Sequence, residues 1–123
     1  MKINYTSADF SEVKDFFNGF AEGDVLNFHY ANLTNYNSRV PGPTMYTIEG
    51  YFELSEENWG KYVVGTDWLE VKEPYRPQIS DSSANYKWLQ SFTWNDIHRG
   101  KRIYGGFNIC NEARIVFFSL SQN

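Results

Sequence analysis

The alternation of apolar and polar positions is clearest in the last quarter of the chain, Arg99 to Ser121. One arm spans Arg102–Cys110, the other Ala113–Ser121, and Asn111-Glu112 turns between them. On the second arm Val116, Phe118 and Leu120 fall on one face, and Ile115, Phe117 and Ser119 on the other. A strand that is apolar on both faces belongs in the middle of a sheet covered on both sides. The pattern therefore predicts a C-terminal hairpin whose last strand is central.

The remaining segments are read against that strand. Phe10, Val13, Phe16, Phe17 and Phe20 recur in steps of three and four. This spacing predicts a helix over 6–20, with Thr6 as N-cap and Tyr5 stapled onto Phe10. Residues 24–33 alternate, with Leu26, Phe28 and Tyr30 opposed to Asn27 and His29. Over 44–54, Tyr46, Ile48, Phe52 and Leu54 face in, while Met45, Thr47, Glu49, Tyr51 and Glu53 face out. Ser55-Glu56-Glu57 opens a turn of helix through Trp59. Shorter alternating pieces follow at 61–64 and 68–72, and the reading favours a strand over Tyr86–Trp94, with a helix over 82–92 as its alternative. Segments 34–43 and 73–83, rich in Pro, Asn, Gly and Ser, read as loops. The expected fold is α+β: one domain over 1–123, with one N-terminal helix on an antiparallel, mostly meander sheet of five to seven strands.

Composition adds two facts. Four tryptophans, nine tyrosines and ten phenylalanines are more rings than a core of this size encloses, so some are expected at the surface. Charge is also uneven. Residues 1–73 hold 12 acids and 5 bases and residues 74–123 hold 3 acids and 6 bases, within a net charge of −4. Such a chain presents a negative region and a smaller positive one, which bears on partners. No apolar run approaches the ~20 residues of a membrane span, and the first residues lack a signal-peptide core. With one cysteine, Cys110, the expectation is a cytoplasmic chain without internal disulfides, monomeric or homodimeric, with no membrane association.

Catalytic and cofactor signals are weak. Two histidines and one cysteine without paired spacing give no metal site, and His29 and His98 each read as solvated side chains. Cys110 reads as a small semi-buried residue rather than a nucleophile. Glu49 and Glu53, four positions apart on a strand, lie roughly 13 Å apart, too far to share one scissile bond. No cofactor is implied. Three surfaces remain. The first is acidic and aromatic: Glu49, Tyr51, Glu53, Glu56, Glu57 and Trp59. Acids steer a basic partner and aromatics anchor it, as suits an inhibitor or immunity-type protein occluding a basic, nuclease-like partner. Toxin-immunity proteins and phage-encoded inhibitors of defence nucleases share this physical character. The second is a pocket for a small ligand or carbohydrate lined by Trp88, Phe92, Trp94 and Tyr104. The third is a basic turn, Arg99, Lys101 and Arg102, placed to hold single-stranded nucleic acid.

Overall fold

A computed structural model describes residues 5–32, 46–71 and 87–122. The strands are β1 (Thr6–Ser7), β2 (Leu26–Asn32), β3 (Tyr46–Glu53), β4 (Leu69–Glu70), β5 (Trp88–Gln90), β6 (Ile103–Cys110) and β7 (Ile115–Gln122). They form one antiparallel sheet in the order β1-β2-β3-β7-β6-β5-β4. Two meanders are thus joined where β3 meets β7. The predicted central strand is the middle one of seven, and the C-terminal hairpin pairs Cys110 with Ile115. The loops expected at 34–43 and 73–83 lie outside the described residues.

Two helices, α1 (Glu56–Tyr62) and α2 (Phe92–His98), are the only α-helices among the described residues. Each opens on a serine cap. Ser55 Oγ accepts from Asn58 N, and Ser91 Oγ from Trp94 N, both at 3.2 Å. The end of α1 is closed by indoles: Trp94 Nε1 donates to the Tyr62 carbonyl at 2.8 Å and Trp68 Nε1 to the Val63 carbonyl at 3.0 Å. The piece at 61–64 is therefore the end of a helix rather than a strand. The expected strand at 86–94 ends at Gln90, because the Ser91 cap starts α2.

The N-terminal helix is corrected. Residues 6–20 hold a two-residue strand and two 3-10 turns, Phe10–Glu12 and Lys14–Phe16. The groups that would continue a helix are engaged elsewhere. The Phe16 carbonyl accepts from Gly100 N at 3.0 Å, and Asn18 N donates to the His98 carbonyl at 2.8 Å. Phe17 forms a bridge with Arg99. The phenylalanine stripe still covers the sheet: Phe10, Val13 and Phe17 are buried, with Phe16 and Phe20 half-buried against them.

The alternation in β3, β6 and β7 gives the sheet two distinct faces. The first carries both helices and the larger core, including Phe28, Phe52, Trp59, Trp94, Phe107 and Phe118. The second carries a smaller buried cluster of Trp88, Cys110, Ile115 and Phe117, with Tyr5 and Tyr51 packed against it. Beyond the end of β5, α2 takes over the edge of β6. Asn95 Oδ1 accepts from Phe107 N at 3.0 Å, and Arg99 Nη1 donates to the Gly105 carbonyl at 2.8 Å. Side chains thus satisfy edge groups that a longer β5 would otherwise pair.

Candidate functional site

Alternation in β3 places Glu49, Tyr51 and Glu53 on the second face, all half-buried. Tyr51 pairs with His29 across β2 and with Phe117 across β7. Its ring stacks on His29 at 5.0 Å and meets Tyr5 edge-on at 5.3 Å. The Tyr5 hydroxyl donates to Glu49 Oε1 at 3.3 Å. Burial raises the Glu49 carboxyl above its usual range, and the Tyr5 hydrogen bond opposes the rise. Burial, then the charge of Glu53, raises the Tyr51 hydroxyl. Burial and the adjacent Glu49 keep Tyr5 protonated. At the end of the strand, Asn27 Nδ2 donates to Glu53 Oε2 at 2.6 Å. Asn27 sits in an irregularity of the β2–β3 register at φ 50°, a conformation that asparagine tolerates better than most residues.

Glu53 belongs to the last rung of the sheet, with Ile115, Cys110 and Trp88. More acids gather at this end. Glu56 and Glu57 are exposed in the first turn of α1, and Glu112 is exposed in the β6–β7 turn. The Cys110 thiol donates to Glu112 Oε2 at 2.9 Å, which, with the Lys87 charge as a smaller contribution, holds the carboxyl low. Burial and that same glutamate push the thiol up to about 11. Asp24 accepts from the Tyr62 hydroxyl and pairs with Lys61 at 3.5 Å. Among the described residues, no ion pair engages Glu49, Glu53, Glu56 or Glu57. At the opposite end of the sheet, next to Ile103, Lys101 and Arg102 are exposed. The seven-residue step from Ile103 to Cys110 separates the two ends by roughly 23 Å.

The structure divides the residues read from the sequence. Glu53, Glu56 and Glu57 come together at the acidic end, with Tyr51 one step inward on the second face. Trp59 does not join them. It is only 9 % exposed on the first face, and its Nε1 donates to Asn111 Oδ1 at 3.0 Å. The four pocket aromatics do not line one site. Trp88 is buried on the second face and Trp94 on the first, while Phe92 and Tyr104 are 70 % and 58 % exposed. Within the basic turn, Arg99 is committed to Asp96 at 2.8 Å and to the Gly105 carbonyl, while Lys101 and Arg102 are exposed and make no ion pair among the described residues.

His98 is corrected from a solvated to a buried side chain. Its ring stacks on Phe20 at 4.5 Å and lies 4.3 Å from the Trp94 ring, with Nδ1 3.0 Å from the Asn18 carbonyl. Burial lowers its pKa, and the carbonyl partly restores it. His98 and Cys110 occupy opposite faces and do not form a catalytic pair. Among the described residues no three His, Cys, Asp or Glu side chains are grouped to hold a metal, and no helix is long and apolar enough to cross a membrane.

Three members of the region escaped the sequence reading. Tyr5 reads from the sequence as a staple in front of a helix; its place on the second face follows from the pairing of Thr6 and Ser7 with β2. His29 was placed on the correct face without its partner Tyr51. Glu112 reaches the end of the sheet that holds Glu53 through the β6–β7 turn together with the β3–β7 register, which pairs Glu53 with Ile115. No family model matches the chain, and no match is found among curated proteins or solved structures.

Proposed function

We propose that this protein is a non-enzymatic binding module of the inhibitor or immunity type, occluding a basic, nuclease-like partner. The contact surface is the acidic end of the sheet: Glu53, Glu56, Glu57 and Glu112, with Tyr51 beside them. The observation that carries the reading is that these acids stand on a central strand, a capped helix start and a tight hairpin turn. Acids on fixed elements keep their spacing before the partner arrives, so little ordering entropy opposes binding. Their field accelerates association with a cationic surface and weakens with salt. Tyr51 supplies an amphipathic ring held by His29 and Tyr5.

The test is capture of a cationic partner from host lysate at low and high salt, followed by kinetics with Glu56→Lys plus Glu57→Lys. Both residues are exposed, so the fold persists, apart from about 0.5–1 kcal/mol lost per charge at the α1 dipole. The expected outcome is a partner released by salt and an association rate at least tenfold slower for the variant. Equal rates for variant and wild type remove this surface from the interface.

A further inference from the structure

We propose that the second face carries a separate binding cleft for a neutral, hydroxyl-rich ligand of monosaccharide size. It is a hollow of about 290 Å³ beside β6, lined by Gln90, Asn95, Gly106, Asn108, Phe117 and Ser119 among others. This inference does not depend on the acidic surface. It rests on three observations.

The first is how the hollow arises. Gly106 and Ser119 face each other across β6 and β7, and Asn108 faces Phe117 on the next rung. A glycine opposite a serine leaves a gap in an otherwise filled face. The gap is bounded by Asn95, which lies close against the strand. A Cβ at residue 106 would fall 2.7 Å from Asn95 Nδ2, so glycine is what lets the amide sit there. Asn95 Oδ1 is fixed by Phe107 N at 3.0 Å, and this turns Nδ2 toward the cleft side of the strand.

The second is the state of the polar groups. Among the described residues the Gln90 amide, the Asn95 Nδ2 and the Ser119 hydroxyl make no hydrogen bond, and none is sealed from solvent. Together they offer donors and acceptors in one small volume, which match adjacent hydroxyls on a ligand.

The third is the absence of charge. None of the described residues lining the cleft is ionisable. The guanidinium that bonds the Gly105 carbonyl is already matched by Asp96 at 2.8 Å. An ion entering the cleft would lose water without gaining a counter-charge. A nucleobase gains little inside the cleft, because the Phe107 and Phe117 rings there are almost fully buried and present no face to stack on. The exposed Tyr104 lies one step along the same strand face and adds ring surface at the margin.

The experiment is an amide NMR titration of the full chain with glucose, galactose and N-acetylglucosamine, and with glucuronate and uridine as comparators. Saturable shifts with a neutral sugar are expected at the Gln90 and Asn95 side-chain amides and at the backbone amides of residues 105–108. Gln90→Ala removes one hydrogen-bonding group, and Ser119→Val fills the gap with a side chain suited to a strand. Each is expected to weaken binding about three- to tenfold. Should Ser119→Val fail to fold, Gln90→Ala alone decides. The Glu56→Lys plus Glu57→Lys variant is expected to bind the sugar unchanged, which separates this cleft from the acidic surface. No saturable shift with any neutral sugar overturns the proposal. So does equal binding by the variants, or a preference for glucuronate or uridine.

Discussion

Gly50 shows how closely β2, β3 and β7 approach. A Cβ there would lie 2.1 Å from the His29 carbonyl oxygen, 2.7 Å from Tyr30 Cα and 2.9 Å from Phe118 Cζ. Two of those atoms are backbone and cannot rotate away. The Phe118 ring occupies the room a side chain would take, as happens when a strand glycine is covered by a cross-strand aromatic. Gly50→Ala is therefore expected to cost about 3 kcal/mol and to lower Tm by roughly 12 °C. A loss under 2 °C in a thermal melt followed by circular dichroism would show that the strands do not meet this closely. Nothing in the alternation of β3 marks Gly50, since its contacts come from other strands.

Among the elements, those whose pattern and packing agree were legible. The central strand followed from Ile115–Leu120 being apolar on both faces, and both faces do hold buried clusters. The start of α1 followed from Ser55-Glu56-Glu57. Its length did not, and this misplaced Trp59. Once the helix runs to Tyr62, Trp59 and Val63 share the inward stripe. The N-terminal segment failed because its phenylalanine spacing fits a helix, while its hydrogen bonds are taken by His98 and Gly100, about eighty positions away, which no local rule sees. The stripe nonetheless contributes to packing. Phe17 meets the rings of Phe10, Phe20, Phe28, Phe52, Phe107 and Phe118 at 5.0–6.3 Å. Phe17→Ala is expected to lower unfolding free energy by about 3–5 kcal/mol in urea titration. A loss below 1 kcal/mol would mean that the 3-10 turns lie on the sheet without being part of its core. Of the proposed acidic surface, the positions of Glu53, Glu56 and Glu57 follow from the sequence because a strand and a capped helix start fix them locally. Tyr5 and Glu112 arrive through pairings between distant strands.

At the scale of the molecule, charge and burial set the response to pH. His98 is neutral in the fold and its pKa lies below the unfolded value. The unfolded chain then binds more protons, so the stability His98 permits is complete above about pH 6.5 and is lost as pH falls through the lowered value. Asp24 and Glu112, held low by the Tyr62 hydroxyl and the Cys110 thiol, lose their contributions only in the more acidic carboxylate range. Glu49, raised by burial, acts with the opposite sign there. As pH falls from 7.5 to 5, His98 is the group whose lowered pKa removes stability. The urea midpoint is expected to fall over that interval in the wild type and to change less in His98→Gln. Parallel profiles for the two proteins would place the loss on other groups.

The seam between the two meanders has a kinetic consequence. Within each meander, strands meet close neighbours in sequence or partners reached across one connection. Across the seam, Glu53 faces Ile115 and Tyr46 faces Gln122, pairs separated by roughly 60 to 75 positions whose closure carries a large entropy cost. That cost falls before the eight-rung ladder and its shared core repay it. The search for β3–β7 register therefore governs how fast this protein folds, on the millisecond-to-second scale of non-local β topologies rather than that of helical bundles. Until it succeeds, Phe117 on one face and Phe118 on the other lack their β3 neighbours.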